Sequence, residues 1–139
     1  MKLLKQRSGN TVVTMPIILI ISIFILINIG VYMIELTKPF LTYEKLNTIA
    51  LKYMFIIEKY GYLTEIEKNN MLNELSNKGI DISKISLKFP NMIKEYGEVI
   101  EFNITYLEYI NLPSLSNGKL DIDKKEIKIV VNKNSYSKR

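Results

Sequence analysis

TVVTMPIILIISIFILINIGVYMI, residues Thr11 to Ile34, contains no charged side chain, and its reading decides how the rest of the chain is arranged. A hydrocarbon core of about 30 Å needs about 20 apolar residues in a helix that rises about 1.5 Å per residue. The run meets that length with residues to spare. From Ile17 to Ile34 thirteen side chains are Ile, Leu, Phe or Val. At roughly 0.3 to 0.6 kcal/mol each near the bilayer centre, insertion gains about 4 to 8 kcal/mol before polar costs. Asn28, Ser22 and Gly30 subtract from that gain without reversing it. A helix apolar on every side can also be the buried centre of a soluble protein, but a chain of 139 residues is too short to wrap one. The sequence therefore predicts a transmembrane helix over residues 11–36, with the lipid bilayer as its first partner.

Working outward toward the N-terminus, residues 1–10 form a basic leader carrying Lys2, Lys5 and Arg7, and no acidic residue occurs before Glu35. Under the positive-inside rule these cations keep the N-terminus cytoplasmic. The expectation is a single-pass protein of the cell membrane with its C-terminal domain extracytoplasmic. A cleaved signal peptide would share the basic start, but the apolar run is longer than a signal core, and no small-x-small site follows it, only YMIELTKPF. The net charge of +5 falls to +2 (16 basic against 14 acidic residues) once the leader cations are set aside. That balance gives no basic face of the kind that binds nucleic acid. With no cysteine, the exported domain relies on its own core instead of disulfides.

Beyond the span the helical pattern resumes. Leu46, Ile49, Ala50, Tyr53, Ile56, Ile57 and Tyr60 recur at three- and four-residue steps, describing an amphipathic helix from Leu41 to Tyr60 whose apolar face covers a core. Pro39 predicts a bend or boundary just before it. If the two helices are continuous, they run roughly 70 Å and form a stalk. Thr64-Glu65-Ile66-Glu67 is a capping box that starts a second helix, ended by Lys78-Gly79, so residues 37–79 read as helical.

After Gly79 the period becomes two. Ile85, Leu87 and Phe89, then Ile100, Phe102, Ile104 and Tyr106, then Ile127, Ile129 and Val131 alternate with polar residues and predict three half-buried strands. Residues 91–97 and 111–118 read as connections, with Pro90, Pro113 and Asn117-Gly118 as punctuation. A fourth short strand over Lys119–Ile122 would pair with the last one through Asp123-Lys124. The fold class is thus α+β: a long N-terminal transmembrane helix continuing into an amphipathic helix, packed on an antiparallel sheet of three or four strands over residues 80–132. Residues 133–139 are expected to be a disordered tail.

Chemistry has little to work with. The absence of histidine and cysteine removes the commonest general base, the best nucleophile and the usual transition-metal ligands. No serine lies in a G-x-S-x-G elbow, the adjacent pairs Ser83-Lys84 and Ser137-Lys138 read as a turn and a tail, and Asp121-x-Asp123 reads as a solvated hairpin. No catalytic residue, metal site, cofactor or small-molecule substrate is expected, and the chain is read as not an enzyme. Among the nine tyrosines, Tyr32 suits the outer membrane interface, Tyr53, Tyr60 and Tyr106 fall on predicted buried faces, and Tyr96, Tyr109 and Tyr136 are freer to meet a partner. Asn28 either bonds its own helix, faces a headgroup or meets a neighbouring helix. With Gly30 it marks a possible helix-association face.

Lys5-Gln6-Arg7-Ser8-Gly9-Asn10-Thr11 resembles the K-x-x-x-G-N-T entry to the span found in TadE-like pseudopilins and in a bacterial domain family of the same layout. Leu46-Asn47-Thr48-Ile49-Ala50 resembles that family's stalk, and Glu98 to Ile104 its central strand. The resemblance implies a type IV pilin-like build and a non-enzymatic role as a pseudopilin or minor pilin-like subunit of a Tad-type pilus or of a secretion or conjugation apparatus. Other pilin-like or apparatus membrane proteins would be its partners. It also implies peptidase cleavage after Gly9, making Asn10 the mature N-terminus. Pilins carry an acid five residues into the mature chain, where this sequence has Thr14. The alternative is a membrane-anchored accessory or binding protein of such a complex that is never processed.

Overall fold

The structure, a computed structural model, describes the backbone of residues 5–116 and 119–138, with side chains described outside 5–12, 115–116 and 119–120. The chain divides into two compact units, Met1–Leu36 and Thr37–Arg139. Its elements run α1 (Lys5–Tyr60), α2 (Glu65–Asn77), a 3-10 turn (Ile82–Lys84), β1 (Ile85–Lys88), β2 (Val99–Ser116) and β3 (Lys119–Tyr136). This is the α+β layout that the periodicities predict, with a sheet of three strands.

The first unit contains the apolar part of α1. From Val13 to Tyr60 the helix is long and apolar enough to cross a membrane by length and composition. Its large side chains are exposed among the described residues: Phe24 is 65% and Leu26 66% exposed. Helix formation in this stretch does not need a packed face, because every interior N–H finds the carbonyl four residues back.

The second unit is built on a mixed core. Leu46, Ile49, Ala50, Tyr53 and Ile57 descend one face of α1 and are buried against Met71 and Leu75 of α2 and Ile100, Phe102 and Ile104 of β2. Pro39 does not end the helix: α1 continues through it to Tyr60. A proline inside a helix loses one backbone hydrogen bond at a cost of about 3 kcal/mol, and burial of the Leu46 to Ile57 face outweighs that. Tyr60, expected on the buried face, is instead 46% exposed in the last turn of α1, past Ile57, where the buried run on that face ends.

Helix α2 begins at the expected capping box. Thr64 Oγ1 accepts from the Glu67 N–H at 3.2 Å, and Glu67 Oε2 accepts from the Thr64 N–H at 3.0 Å. It ends in a Schellman motif, with Ile80 N–H donating to the Leu75 carbonyl at 3.0 Å and Gly79 N–H to that of Ser76 at 2.9 Å. Gly79 supplies the positive φ of +80° and Ile80 the buried apolar contact that this motif calls for.

The sheet departs from the sequence reading in length. Its order is β1-β2-β3, all antiparallel. β2 and β3 are 18 residues each and pair without interruption from Val99↔Tyr136 to Ser116↔Lys119. Asn111 to Ser116 is strand and not a connection, Lys119–Ile122 belongs to β3 instead of forming a fourth strand, and Asp123-Lys124 is not a turn. Asn117-Gly118, the dipeptide expected to turn, lies outside the described residues. Pro113 is tolerated because β1 covers only Asn103–Tyr106, leaving β2 an edge strand at the proline. The expected tail is also ordered up to Lys138: residues 132–136 pair with 99–103, and Ser137 is buried.

Candidate functional site

One end of the second unit is assembled by the chain's last residues. Glu58, in the final turn of α1, is buried although charged. Its carboxylate accepts from Ser135 Oγ at 2.5 Å and pairs with the Lys138 ammonium, while the Lys138 N–H donates to the Glu58 carbonyl at 2.8 Å. The hydrogen bond from Lys138, with that from Ser135 next, holds the Glu58 carboxyl below the usual carboxylate range. Alternation carries Ser135 to the inner face of β3 opposite Ile100, which is how it reaches Glu58.

The same end fixes the loop between β1 and β2. Lys94 N–H donates to the Gly61 carbonyl at 3.0 Å, Gly97 N–H to that of Ser137 at 2.9 Å, and Ser137 N–H to that of Glu98 at 2.9 Å. Ser137 Oγ donates to the Lys94 carbonyl at 3.1 Å, and Glu98 Oε2 accepts from the Glu95 N–H at 2.8 Å. Gly61 takes a φ of +79°, and a Cβ there would lie 2.6 Å from the Lys94 carbonyl oxygen, so glycine permits both the turn and the close approach.

On this pinned backbone stand apolar side chains that face water. Met92 is 81% and Tyr96 80% exposed, with Ile93, Val99 and Tyr136 also exposed. Val99 and Tyr136 are cross-strand partners, and the Gly97 to Ser137 hydrogen bond ties the loop to the end of β3. Methionine and tyrosine are enriched in protein interface cores, and a loop already ordered loses little conformational freedom on binding. Of the three tyrosines marked as free, two, Tyr96 and Tyr136, adjoin this bonded junction and are exposed. The third does not: Tyr109 donates to Glu126 at 2.9 Å and has the ammonium groups of Lys124 and Lys84 at 4.6 and 5.3 Å from its ring centre. The bond to Glu126 raises its pKa.

No periodic signal marks Met92 and Ile93, which lie in a loop between Pro90 and Gly97. Apolar residues in a stretch with turn punctuation on both sides were the one available clue.

A second polar cluster joins the helices. Tyr53 OH donates to Glu74 Oε1 at 3.2 Å, and Lys52 pairs with the same oxygen. Burial, then the Glu74 charge, pushes the Tyr53 hydroxyl up to about 12, while the Lys52 hydrogen bond lowers Glu74. Among the described residues no group of three or more His, Cys, Asp or Glu is placed to hold a metal.

The remaining site residues lie in the first unit. Asn28 Nδ2 donates to the Phe24 carbonyl at 2.7 Å and Ser22 Oγ to that of Ile18 at 2.8 Å, so both polar groups bond their own helix. Gly30 has nothing within 4 Å of where a Cβ would stand. Thr14 is an exposed position of α1. Gly9 lies in α1, while the side chains of Lys5, Arg7 and Asn10, and all of Lys2, lie outside the described residues. Comparison with protein-family models, with curated proteins and with solved structures finds no match to this chain.

Proposed function

We propose that this chain is a non-enzymatic, single-pass membrane protein acting as a pseudopilin or minor pilin-like subunit of a pilus, secretion or conjugation apparatus. Its N-terminus lies in the cytoplasm and its α/β head outside. The observation that carries the reading is the uncharged stretch of α1, whose apolar side chains are exposed among the described residues. In water such a surface, far larger than a few hundred Å2, drives aggregation; in lipid it is satisfied. The leader cations Lys2, Lys5 and Arg7 supply the orientation, and the basic entry Lys5 to Thr11 supports the pilin-like part of the proposal. The exposed surface around Tyr96 and Tyr136 gives the head a place to meet the apparatus.

The native chain has no cysteine, so single cysteines report topology directly. Lys125→Cys is expected to react with a membrane-impermeant maleimide in intact cells, whether or not the leader is removed; reaction only after lysis would overturn the orientation. Thr14, where pilins carry an acid, favours a second reading as an unprocessed accessory protein of the same machinery. Mass spectrometry of the mature N-terminus separates the two: a start at Asn10 supports the processed subunit, and a start at Met1 the accessory protein.

A further inference from the structure

The sheet has a free edge at β1 that differs from its other one. β1 pairs on one side with Asn103–Tyr106 of β2, and among the described residues no strand pairs with its other side. An antiparallel strand points alternate N–H and C=O groups to each side, so Ile85–Lys88 presents a short row of backbone donors and acceptors away from the sheet. A groove of about 520 Å3 separates this row from α2, walled by Lys68 and Leu72 of α2 and bounded by Ile82 and Phe89 beside the strand. The volume falls within the roughly 300 to 1,000 Å3 of ligand sites. The outer edge of β3 has no such character, since it carries exposed Lys124, Lys125 and Lys128, the side chains that discourage edge pairing.

The groove's charge has one sign. Its lining includes Lys68 and Lys88 and no carboxylate. Lys68 reaches over the Phe89 ring, 5.9 Å from its centre, and its nearest acid, Glu65, is 3.3 Å away in a surface pair. Lys88 is largely exposed, with Glu101 at 3.8 Å. Exposed pairs of this kind contribute little, so both ammonium groups remain available to a ligand. The apolar side chains Leu72, Ile82 and Phe89 are only partly covered.

We propose that the groove between β1 and α2 binds an extended, acidic peptide segment of a partner protein, which adds as a strand to the edge of β1. Backbone hydrogen bonds to Ile85–Lys88 supply the register. Apolar side chains on one face of the segment meet Leu72, Ile82 and Phe89, and its carboxylates meet Lys68 and Lys88. The groove belongs wholly to the second unit and stands whether or not α1 crosses a bilayer.

The test uses the full chain in detergent micelles and a fluorescein-labelled hexapeptide, Asp-Val-Glu-Ile-Glu-Val, capped at both ends. Saturable binding by anisotropy is expected, weakened about tenfold in the Lys68→Gln, Lys88→Gln double variant. Both side chains reach solvent, and an unchanged circular dichroism spectrum establishes that the variant is folded. Two further peptides carry N-methyl groups on alternate amides, one set for each parity. Strand addition predicts that one set abolishes binding and the other leaves it within about twofold, and that bound peptide slows hydrogen exchange at Ile85–Lys88. Equal binding of both methylated peptides would overturn the proposal and leave plain charge attraction. No saturation at about 1 mM would overturn it outright.

Discussion

Replacing Gly61 by alanine tests whether the loop that carries Met92 and Tyr96 is held by a collision-free approach to the end of α1. Gly61 sits at φ +79°, where an L side chain costs about 1 to 2 kcal/mol. Its Cβ would also stand 2.6 Å from the Lys94 carbonyl oxygen and 3.0 Å from the Lys94 nitrogen. Both are backbone atoms, so no side-chain rotation relieves the contact. The loop must move, and the Lys94 to Gly61 hydrogen bond is lost, for about 1 kcal/mol more. The expected total is about 2 to 3 kcal/mol. Gly79 is the control. Its φ of +80° matches, yet nothing lies within 4 Å of its Cβ position, so Gly79→Ala should cost only the conformational part. The stiffening of the unfolded chain by alanine is common to both and cancels in the comparison. For a unit of about 100 residues, with roughly 4 to 8 °C per kcal/mol, Gly61→Ala should lower Tm by about 10 to 20 °C and Gly79→Ala by about half that. Thermal unfolding of the full chain in detergent, followed by tyrosine absorbance, reads both. Equal shifts would refute the close approach, and with it the claim that the loop is pinned.

Further outcomes follow from the polar clusters and the core. Because Lys138 and Ser135 lower the Glu58 pKa, and Lys52 that of Glu74, their contributions are present at neutral pH and lost as pH falls below the ordinary carboxylate value of 4.5. The urea midpoint should drop between pH 7 and pH 3.5, and Lys138→Met should flatten that dependence. Tyr53, raised to about 12, should be the last tyrosine to ionise in an ultraviolet titration, and its favourable part is lost as pH climbs past 10; the late step disappears in Tyr53→Phe. Thr64→Ala, which removes the cap of α2, should cost about 1 kcal/mol by urea unfolding. Phe102→Ala, at the fully buried centre, should cost about 3 to 5 kcal/mol by the same assay.

The parts legible in the sequence were those where a local pattern and the global fold agree. The buried face of α1 was readable at Leu46, Ile49, Tyr53 and Ile57 because a helix places these residues on one side whatever it packs against. The cap at Thr64 and Glu67 was readable because both partners lie within four residues. The strand ends were not. Between Asn111 and Lys125 the side chains lose their alternation, since beyond β1 the β2–β3 ribbon has less to cover, and burial is what writes a period of two into a sequence. What holds residues 111–116 and 119–125 extended is the continuous backbone pairing of two strands of equal length, which leaves no mark on side-chain hydropathy.

The same reasoning explains why the surface around Tyr96 was only half visible. An exposed tyrosine in a polar loop looks the same whether the loop is loose or fixed, and what separates the cases is a set of contacts distant in sequence. Gly61 meets Lys94 across 33 residues, and Ser137 meets Lys94 across 43. The clamp on Glu58 spans 77 residues to Ser135 and 80 to Lys138. A segment read from composition as a loose tail is thus the piece that ties the end of α1 to the loop bearing Met92 and Tyr96. Shortening the chain before Ser135 should loosen that loop before it disturbs the Phe102 core. In hydrogen exchange the Gly97 amide, whose acceptor is Ser137, would lose protection while those of Phe102 and Ile104 keep it. Simultaneous loss at both places would mean that the strand end is part of the core's cooperative unit and not a separate clamp.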